Sequence, residues 1–255
     1  MFKGKKIAVV MPAYNAEKTI SKTYQEVVNE KIVDVIIIVD DASKDNTVPV
    51  SKELADDGEV KTVLHVHEKN VGYGGNQKSC YKLALEQGSD IIIMVHPDYQ
   101  YTPKLIPAMA GMIVNGLYDC VLASRILGKA ALKGGMPFWK YMVNQFLTKM
   151  ENLILGAYLS EYHTGYRAFS RKLLENISLE HNSSGFLFDN EIIAQILWSD
   201  YLIGEISCPT NYFPEASVIS LYDSFVYGIG CFKVALLYRL SKMRIIKSKL
   251  FSSKE

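Results

Sequence analysis

The sequence predicts an α/β fold in which a mainly parallel sheet is covered by helices on both faces. Two observations carry this. The first half alternates between unbroken apolar runs, such as Val35-Ile36-Ile37-Ile38-Val39, and stretches of helical period. Several of those runs end in polar clusters, the composition found where open parallel sheets offer their carboxyl edges to a ligand.

The elements follow in order. Ile7 to Met11 is the first buried strand, and Ala16 to Glu30 reads as a helix capped by Asn15. Val33 to Val39 is a second strand, followed by a polar helix from about Lys44 to Ala55. Val60 to Val66 is a third strand, and Gly75 to Gln87 a helix with Cys80, Leu83 and Ala84 on one face. Strand Asp90 to Val95, helix Pro103 to Val114 and strand Asp119 to Ala123 complete the alternation.

After Arg125 the rhythm changes. Lys129 to Gly135 reads as a loop rich in Gly and Lys, and Phe138 to Leu159 as a long helix with many aromatic and apolar residues. A strand at Gly165 to Ser170, a helix at Asp189 to Trp198, a strand at Leu202 to Cys208 and a helical stretch from Ser224 to Leu250 follow. No linker-like composition separates the halves. Residues 1–223 therefore read as one domain, and 224–255 as its basic, amphipathic helical extension.

The totals exclude several classes. A chain of 255 residues that is 49% hydrophobic can bury a large core. A net charge of +1 leaves no basic field to collect nucleic acid. Cys80, Cys120, Cys208 and Cys231 are widely spaced, with no C-x-x-C pair, and read as reduced thiols of a cytoplasmic protein. The start of the chain has no signal-peptide core, and no apolar run reaches the roughly 18 residues of a membrane span.

Polar clusters at the strand ends carry the chemistry. The first strand runs into Pro12-Ala13-Tyr14-Asn15-Ala16-Glu17 and the second into Asp40-Asp41-Ala42-Ser43. The fourth runs into His96-Pro97-Asp98-Tyr99-Gln100. In a doubly wound sheet these ends share one crevice, and Asp98 with Gln100 supplies hard oxygen ligands suited to Mg²⁺ or Mn²⁺ carrying a diphosphate. A polar turn after Val95, and helix caps at Ser43 or Asp45, would use the same residues. Capping leaves unexplained why Asp40 and Asp41 stand together at the end of an apolar strand. The stretch Gly72-Tyr73-Gly74-Gly75-Asn76 is not a dinucleotide loop, because it follows the third strand and lacks the third glycine at the required offset.

Four blocks in register resemble inverting family-2 glycosyltransferases: Pro12-Ala13-Tyr14-Asn15; Val39-Asp40-Asp41-Ala42-Ser43-x-Asp45-x-Thr47; Asn70-x-Gly72; and a strand ending in Asp98-x-Gln100. Ser124-Arg125 and Thr164-Gly165-Tyr166-Arg167 add a similarity to dolichyl-phosphate mannose synthases and bacterial polyprenyl-phosphate glycosyltransferases. The resemblance implies a Rossmann-like nucleotide-diphospho-sugar transferase fold. It implies that Pro12, Ala13, Tyr14, Asn15, Glu17, Asp40, Asp41, Asn70 and Gly72 hold the nucleoside of a UDP- or GDP-sugar. Asp98, with His96 and Gln100, would hold a divalent metal, Mg or Mn. Arg125 and Arg167 would face phosphate oxygens, where a guanidinium fork fits.

The chain departs from the pattern at His96, which stands where the family has the first Asp of its metal motif and brings no negative charge. Ala16 stands where the family often has Glu, and Glu161 where the mannose synthases tend to have Asp. Asp189 and Glu191 open the late helix, either as acids favoured by its dipole or as the base that a hydroxyl acceptor needs. The Gln-x-x-Arg-Trp block of processive members is missing, since Gln195-Ile196-Leu197-Trp198 lacks the Arg. His163 is a candidate for the acceptor side, while His65, His67 and His181 read as structural or surface residues.

Three functions follow as expectations. The first is transfer of a sugar to a polyprenyl phosphate in cell-envelope glycan synthesis, by a cytoplasmic enzyme peripheral on the inner membrane face. Arg239, Lys242, Arg244, Lys247, Lys249 and Lys254, interleaved with Leu and Ile, would form its membrane-surface helix, or else the solvated face of a packed one. Phe138, Trp139, Tyr141, Met142, Phe146 and Leu147 would be core or would meet lipid. The second is a soluble transferase acting on a glycan hydroxyl with Asp189 or Glu191 as base. The third is a non-catalytic nucleotide-sugar or lipid-binding module.

Overall fold

Apolar strands that must bury both faces have been layered between helices. The computed structural model describes residues 1–210, 212 and 221–251. Its sheet has seven strands in the order β3-β2-β1-β4-β6-β5-β7. These are β1 (Ile7–Ala13), β2 (Val35–Asp40), β3 (Thr62–Val66), β4 (Ile91–Met94), β5 (Cys120–Ser124), β6 (Arg167–Ser170) and β7 (Ile203–Ser207). All neighbours run parallel except β6, which is antiparallel to both β4 and β5.

Alternation along each strand sorts the core into two layers. Ile7, Val9 and Met11 face one layer with Ile20 and Tyr24 of α1 (Ile20–Asn29) and Met109 of α4 (Ile106–Val114). Ala8 and Val10 face the other, with Cys80 and Tyr81 of α3 (Tyr73–Glu86) and Ile192 of α8 (Phe188–Trp198). The remaining helices are α2 (Thr47–Asp57), α5 (Ala130–Lys133), α6 (Phe138–Leu155), α7 (Arg171–Asn176) and α9 (Leu221–Lys242).

Several expected boundaries shift for local reasons. Asn15 is not a helix cap: α1 begins after Thr19, and Asn15 instead accepts from the backbone of Lys44 at 2.9 Å. The stretch Lys129 to Gly135 is not all loop, because Ala130–Lys133 winds one helical turn. The helix from Phe138 stops at Leu155 rather than Leu159, because Gly156 takes a left-handed φ of 73° and turns the chain.

The C-terminal helix ends at Lys242, short of Leu250. The chain then folds back through Arg244 at φ 59° and buries Leu250 and Phe251. Phe251 stacks on Trp198 at 5.2 Å and meets Tyr238 edge-on. The expected basic tail helix is therefore interrupted, and its end is pinned to α8 and α9 by aromatic packing. Lys254 lies outside the described residues. No helix among the described residues is long and apolar enough to cross a membrane.

Candidate active site

Topology brings the predicted motifs to one edge. β1, β2 and β4 run parallel, with Ala13 opposite Asp40 and Val10 opposite Met94, so their carboxyl ends open together. β5 leaves the sheet at the same edge. Antiparallel β6 enters there, so Thr164 and Gly165 arrive where His96 and Arg125 depart. A cavity of about 980 Å³ lies over this edge. Asn15, Ala42 and Tyr99, each in a loop leaving one of these strands, hold positive φ between 49° and 59°. Such backbone strain persists only where surrounding contacts enforce it.

At one end the wall is made by Pro12, Ala13, Tyr14, Asn15 and Glu17, with Tyr14 half exposed over the opening. Side chains staple these loops together. Asn15 donates its amide to Ser43 Oγ at 2.8 Å, and Glu17 accepts from the Asn46 backbone at 2.8 Å. Asp45 accepts from Glu17 N and from the amide and hydroxyl of Thr47. Burial pulls the Asp45 carboxyl upward, but these hydrogen bonds outweigh it and hold it below the usual range.

Asp41, Asn70 and Gly72 complete this end. Asp41 accepts the backbone amides of Val71 at 2.8 Å and Gly72 at 3.0 Å, and pairs with His67 Nδ1 at 3.0 Å. Gly72 itself needs its φ of 86°, and a Cβ there would lie 2.6 Å from the Ser184 carbonyl. Asp40 departs from its expected place. It is fully buried, does not line the cavity, and accepts from Ser43 N at 2.9 Å and Ser43 Oγ at 2.5 Å. It shapes the turn that carries Asp41.

His96, Asp98 and Gln100 line the middle of the cavity. Asp98 Oδ1 accepts the amide of Gln100 at 3.0 Å, which fixes the turn. The His96 ring stacks beside Tyr73, with Nε2 3.1 Å from the Tyr73 hydroxyl. It also lies against Gly165, where any side chain would strike the imidazole. The glycine of the Thr-Gly-Tyr-Arg block is thus required by the histidine of the fourth strand.

At the far end Arg125 lines the cavity, gripped by the fully buried Glu161 through Nε at 2.8 Å and through Nη2. Burial would raise the Glu161 carboxyl, but Arg125 beside it outweighs this and keeps it low and ionised. Lys140 stands here too, its ammonium pKa lowered by burial and by the Arg125 charge. Two cations against one carboxylate leave this end positive.

Asp189 lines the cavity with both oxygens engaged: Oδ2 by Tyr73 at 2.7 Å, Oδ1 by Gln77 at 3.1 Å and by Arg167 at 3.5 Å. Arg167 and Glu191 depart from their expected places. Arg167 is fully buried outside the cavity wall and donates to the carbonyls of Tyr162, Thr164 and Asp189. Glu191 accepts the amide and hydroxyl of Ser183, holding the loop before α8. Sequence spacing alone could not separate a phosphate-facing arginine from one that organises backbone.

Comparison with known proteins decides the family. Residues 8–178 match the family described as glycosyl transferase family 2. The chain belongs to that family. It is 32% identical over 219 residues to a UDP-N-acetylglucosamine–dolichyl-phosphate N-acetylglucosaminyltransferase of Methanococcus voltae, covering 82% of this chain and 86% of that one. It is 24% identical over 192 residues to a dolichol-phosphate mannosyltransferase of Pyrococcus furiosus, covering 74% of this chain and 52% of that one. Among solved structures, the glucosyl-3-phosphoglycerate synthase of Mycobacterium tuberculosis with phosphoglyceric acid superposes with a TM-score of 0.69 at 18% identity. That match covers 97% of this chain and 82% of the other, and it bears on the fold.

The glycosyltransferase also has cavity residues that the sequence reading passed over. Lys140, Asn144, Tyr212 and Tyr227 line the cavity, as do Tyr73 and Asn76 of the stretch that is not a dinucleotide loop. Lys140, a lone cation within an aromatic run, was the one visible signal. His163 lines the wall, with Nδ1 2.9 Å from the Tyr227 hydroxyl and Nε2 3.4 Å from buried Glu151. Burial pushes Glu151 up to about 8 and His163 down to about 4. Both are therefore neutral at pH 7, and the pair is a neutral contact rather than an ion pair.

Proposed function

We propose that this family-2 enzyme transfers a sugar from a nucleoside diphosphate, a UDP-sugar first among the candidates, to a polyprenyl phosphate, inverting the anomeric carbon. One observation carries the acceptor reading. The carboxylate best placed to serve as a base, Asp189, has both oxygens occupied, while Arg125 and Lys140 leave the acceptor end positive. A phosphate monoester is already an anionic nucleophile and needs no base, so that end suits it better than a sugar hydroxyl. The similarity to a dolichyl-phosphate N-acetylglucosaminyltransferase supports both donor and acceptor.

In this reading Tyr14, Asn15, Asp41 and Gly72 hold the nucleoside, and the diphosphate extends toward Asp98. An acceptor phosphate oxygen forms the new bond to C1 from the face opposite the diphosphate. The bond from C1 to the diphosphate oxygen breaks, and the nucleoside diphosphate leaves with the electron pair. Lys140 and Arg125 orient the incoming phosphate.

The donor set fits a divalent metal only if the substrate completes its shell. Asp98 and Gln100 offer oxygen, but the cluster of three His, Cys, Asp or Glu ligands found among the described residues lies elsewhere, at Glu151, His163 and Cys231. One carboxylate plus diphosphate oxygens is an arrangement Mg²⁺ or Mn²⁺ accepts. Bound there, the metal would neutralise charge developing on the departing diphosphate. Relatives in fold have been crystallised with Mn²⁺ and UDP, which supports this choice.

The test is a transfer assay with a panel of UDP- and GDP-sugars, Mn²⁺ or Mg²⁺, and detergent-dispersed undecaprenyl phosphate. The expected result is a labelled sugar entering the lipid extract. Transfer only to free glycans would establish the hydroxyl-acceptor reading instead. Donor binding without any consumption would establish a binding module.

A further inference from the structure

α6 and α9 pack against each other and turn their apolar residues outward. On α6 the exposed arc holds Phe138, Trp139, Met142, Val143, Phe146 and Leu153, with Phe146 70% and Leu153 82% accessible. At 100° per residue these positions fall within one side of the helix. The buried side carries Asn144, Thr148 and Glu151 beside Leu147 and Leu155. An apolar outer arc over a partly polar inner side departs from the usual pattern of a helix on a water-facing protein. It is not a misplaced helix: Asn144 donates to Glu161 at 2.9 Å, and Leu147 packs beside Gly228 of α9, so inward contacts fix the rotation.

α9 is apolar on both sides, with Val234 and Tyr238 buried in the core. Phe225, Val226, Ile229, Phe232 and Leu236 are all more than two-fifths exposed, while Cys231 and Ala235 face inward. The two arcs together form an apolar surface of a kind soluble monomers rarely show. Charges on the described side chains of both helices complete the picture. Lys140, Lys149, Lys233, Arg239 and Lys242 are all cations, and the acid among those side chains, Glu151, is buried.

We propose that this α6–α9 face docks on an anionic lipid bilayer, with Lys140 and the cavity mouth held at the phosphate level. The inference rests on the lipid-phosphate reading and assigns docking to these two helices rather than to the C-terminal tail. Apolar side chains with interspersed cations match the acyl boundary and anionic headgroups together. A second copy of the chain would bury the same apolar area but would set cations against cations. The same helices supply Lys140, Asn144 and Tyr227 to the cavity wall, so a bilayer on the outer face brings lipid phosphates beside the acceptor end.

The test uses the full chain and vesicles of phosphatidylcholine alone or with an equal part of phosphatidylglycerol. The protein should float with the anionic vesicles and be released from them in part by high salt. Brominated lipid should quench Trp139, which lies on the face, and leave Trp198, packed under Phe251, as the reference. The double variant Phe146→Ser with Phe225→Ser removes two largely exposed rings, so its melting temperature should not move. Its vesicle partition should fall about tenfold or more. Failure of the wild type to bind anionic vesicles, equal binding by the variant, or a dimer that the variant dissolves while vesicles go unbound would each overturn docking. Transfer to detergent-dispersed undecaprenyl phosphate separates the two claims. Transfer without vesicle binding overturns docking alone, and vesicle binding without lipid transfer removes the acceptor reading on which docking rests.

Discussion

Tyr73 donates its hydroxyl to Asp189 at 2.7 Å across 116 residues of sequence, and the same oxygen lies 3.1 Å from Nε2 of His96. One phenol thus ties the start of α3, the turn after β4 and the first turn of α8. Burial holds this hydroxyl well above its usual pKa, with the Asp189 charge adding to the effect, so it stays a donor. Tyr73→Phe keeps the ring and leaves Asp189 and His96 each short of a partner. Unfolding in urea should show a loss of about 1–3 kcal/mol, the cost of an unsatisfied buried group. Steady-state kinetics should show a fall in turnover larger than any change in donor KM, because the ring that packs at the wall remains.

Asp98→Asn should act on metal response rather than on folding. Asparagine still accepts the Gln100 amide through its side-chain oxygen, so the turn survives and stability should change by less than about 0.5 kcal/mol. It removes the negative charge offered to a cation. The Mn²⁺ concentration giving half-maximal transfer should rise by about tenfold or more. A metal titration unchanged from wild type would remove Asp98 from the proposed metal site.

Among the described residues Glu161 is the carboxylate that grips Arg125, and it is fully buried. Glu161→Gln leaves that guanidinium buried without a counter-charge, which should cost about 3–5 kcal/mol in chemical denaturation. Arg125 would also become free to swing, so the KM for a phosphate acceptor should move along with stability.

Glu151 and His163 give opposite pH dependences. A carboxyl raised from 4.5 to about 8 makes the folded state bind the extra proton, so its contribution weakens as pH rises through that range. An imidazole lowered from 6.5 to about 4 makes the unfolded state bind the extra proton, so its contribution strengthens as pH rises from about 4 to 6.5. The two offset each other below pH 6.5. Between about 6.5 and 8 Glu151 acts alone, and stability should fall by at most about 1.4 kcal/mol per pH unit. Glu151→Gln mimics the protonated acid, and calorimetry from pH 6.5 to 8 should show that slope removed.

The sequence by itself determined the strands, the parallel sheet and the edge where the site lies. Runs such as Val35 to Val39 can be buried only between two helical layers, and a strand ending at Asp40 or Asp98 must present polar groups at its carboxyl end. Tertiary structure decided which of those groups face the cavity. Asp40 and Asp41 are neighbours in sequence, yet one closes a turn on Ser43 and the other lines the wall, because successive residues point to opposite sides. Arg125 and Arg167 looked interchangeable, but β6 enters antiparallel and turns Arg167 inward onto backbone carbonyls. The tail has the residue pattern of one basic helix, but its helix ends at Lys242 and Phe251 packs on Trp198, and the outward apolar faces of α6 and α9 could have been core. Residue type records what a side chain can bond to; only contacts between distant segments determine which partner it meets.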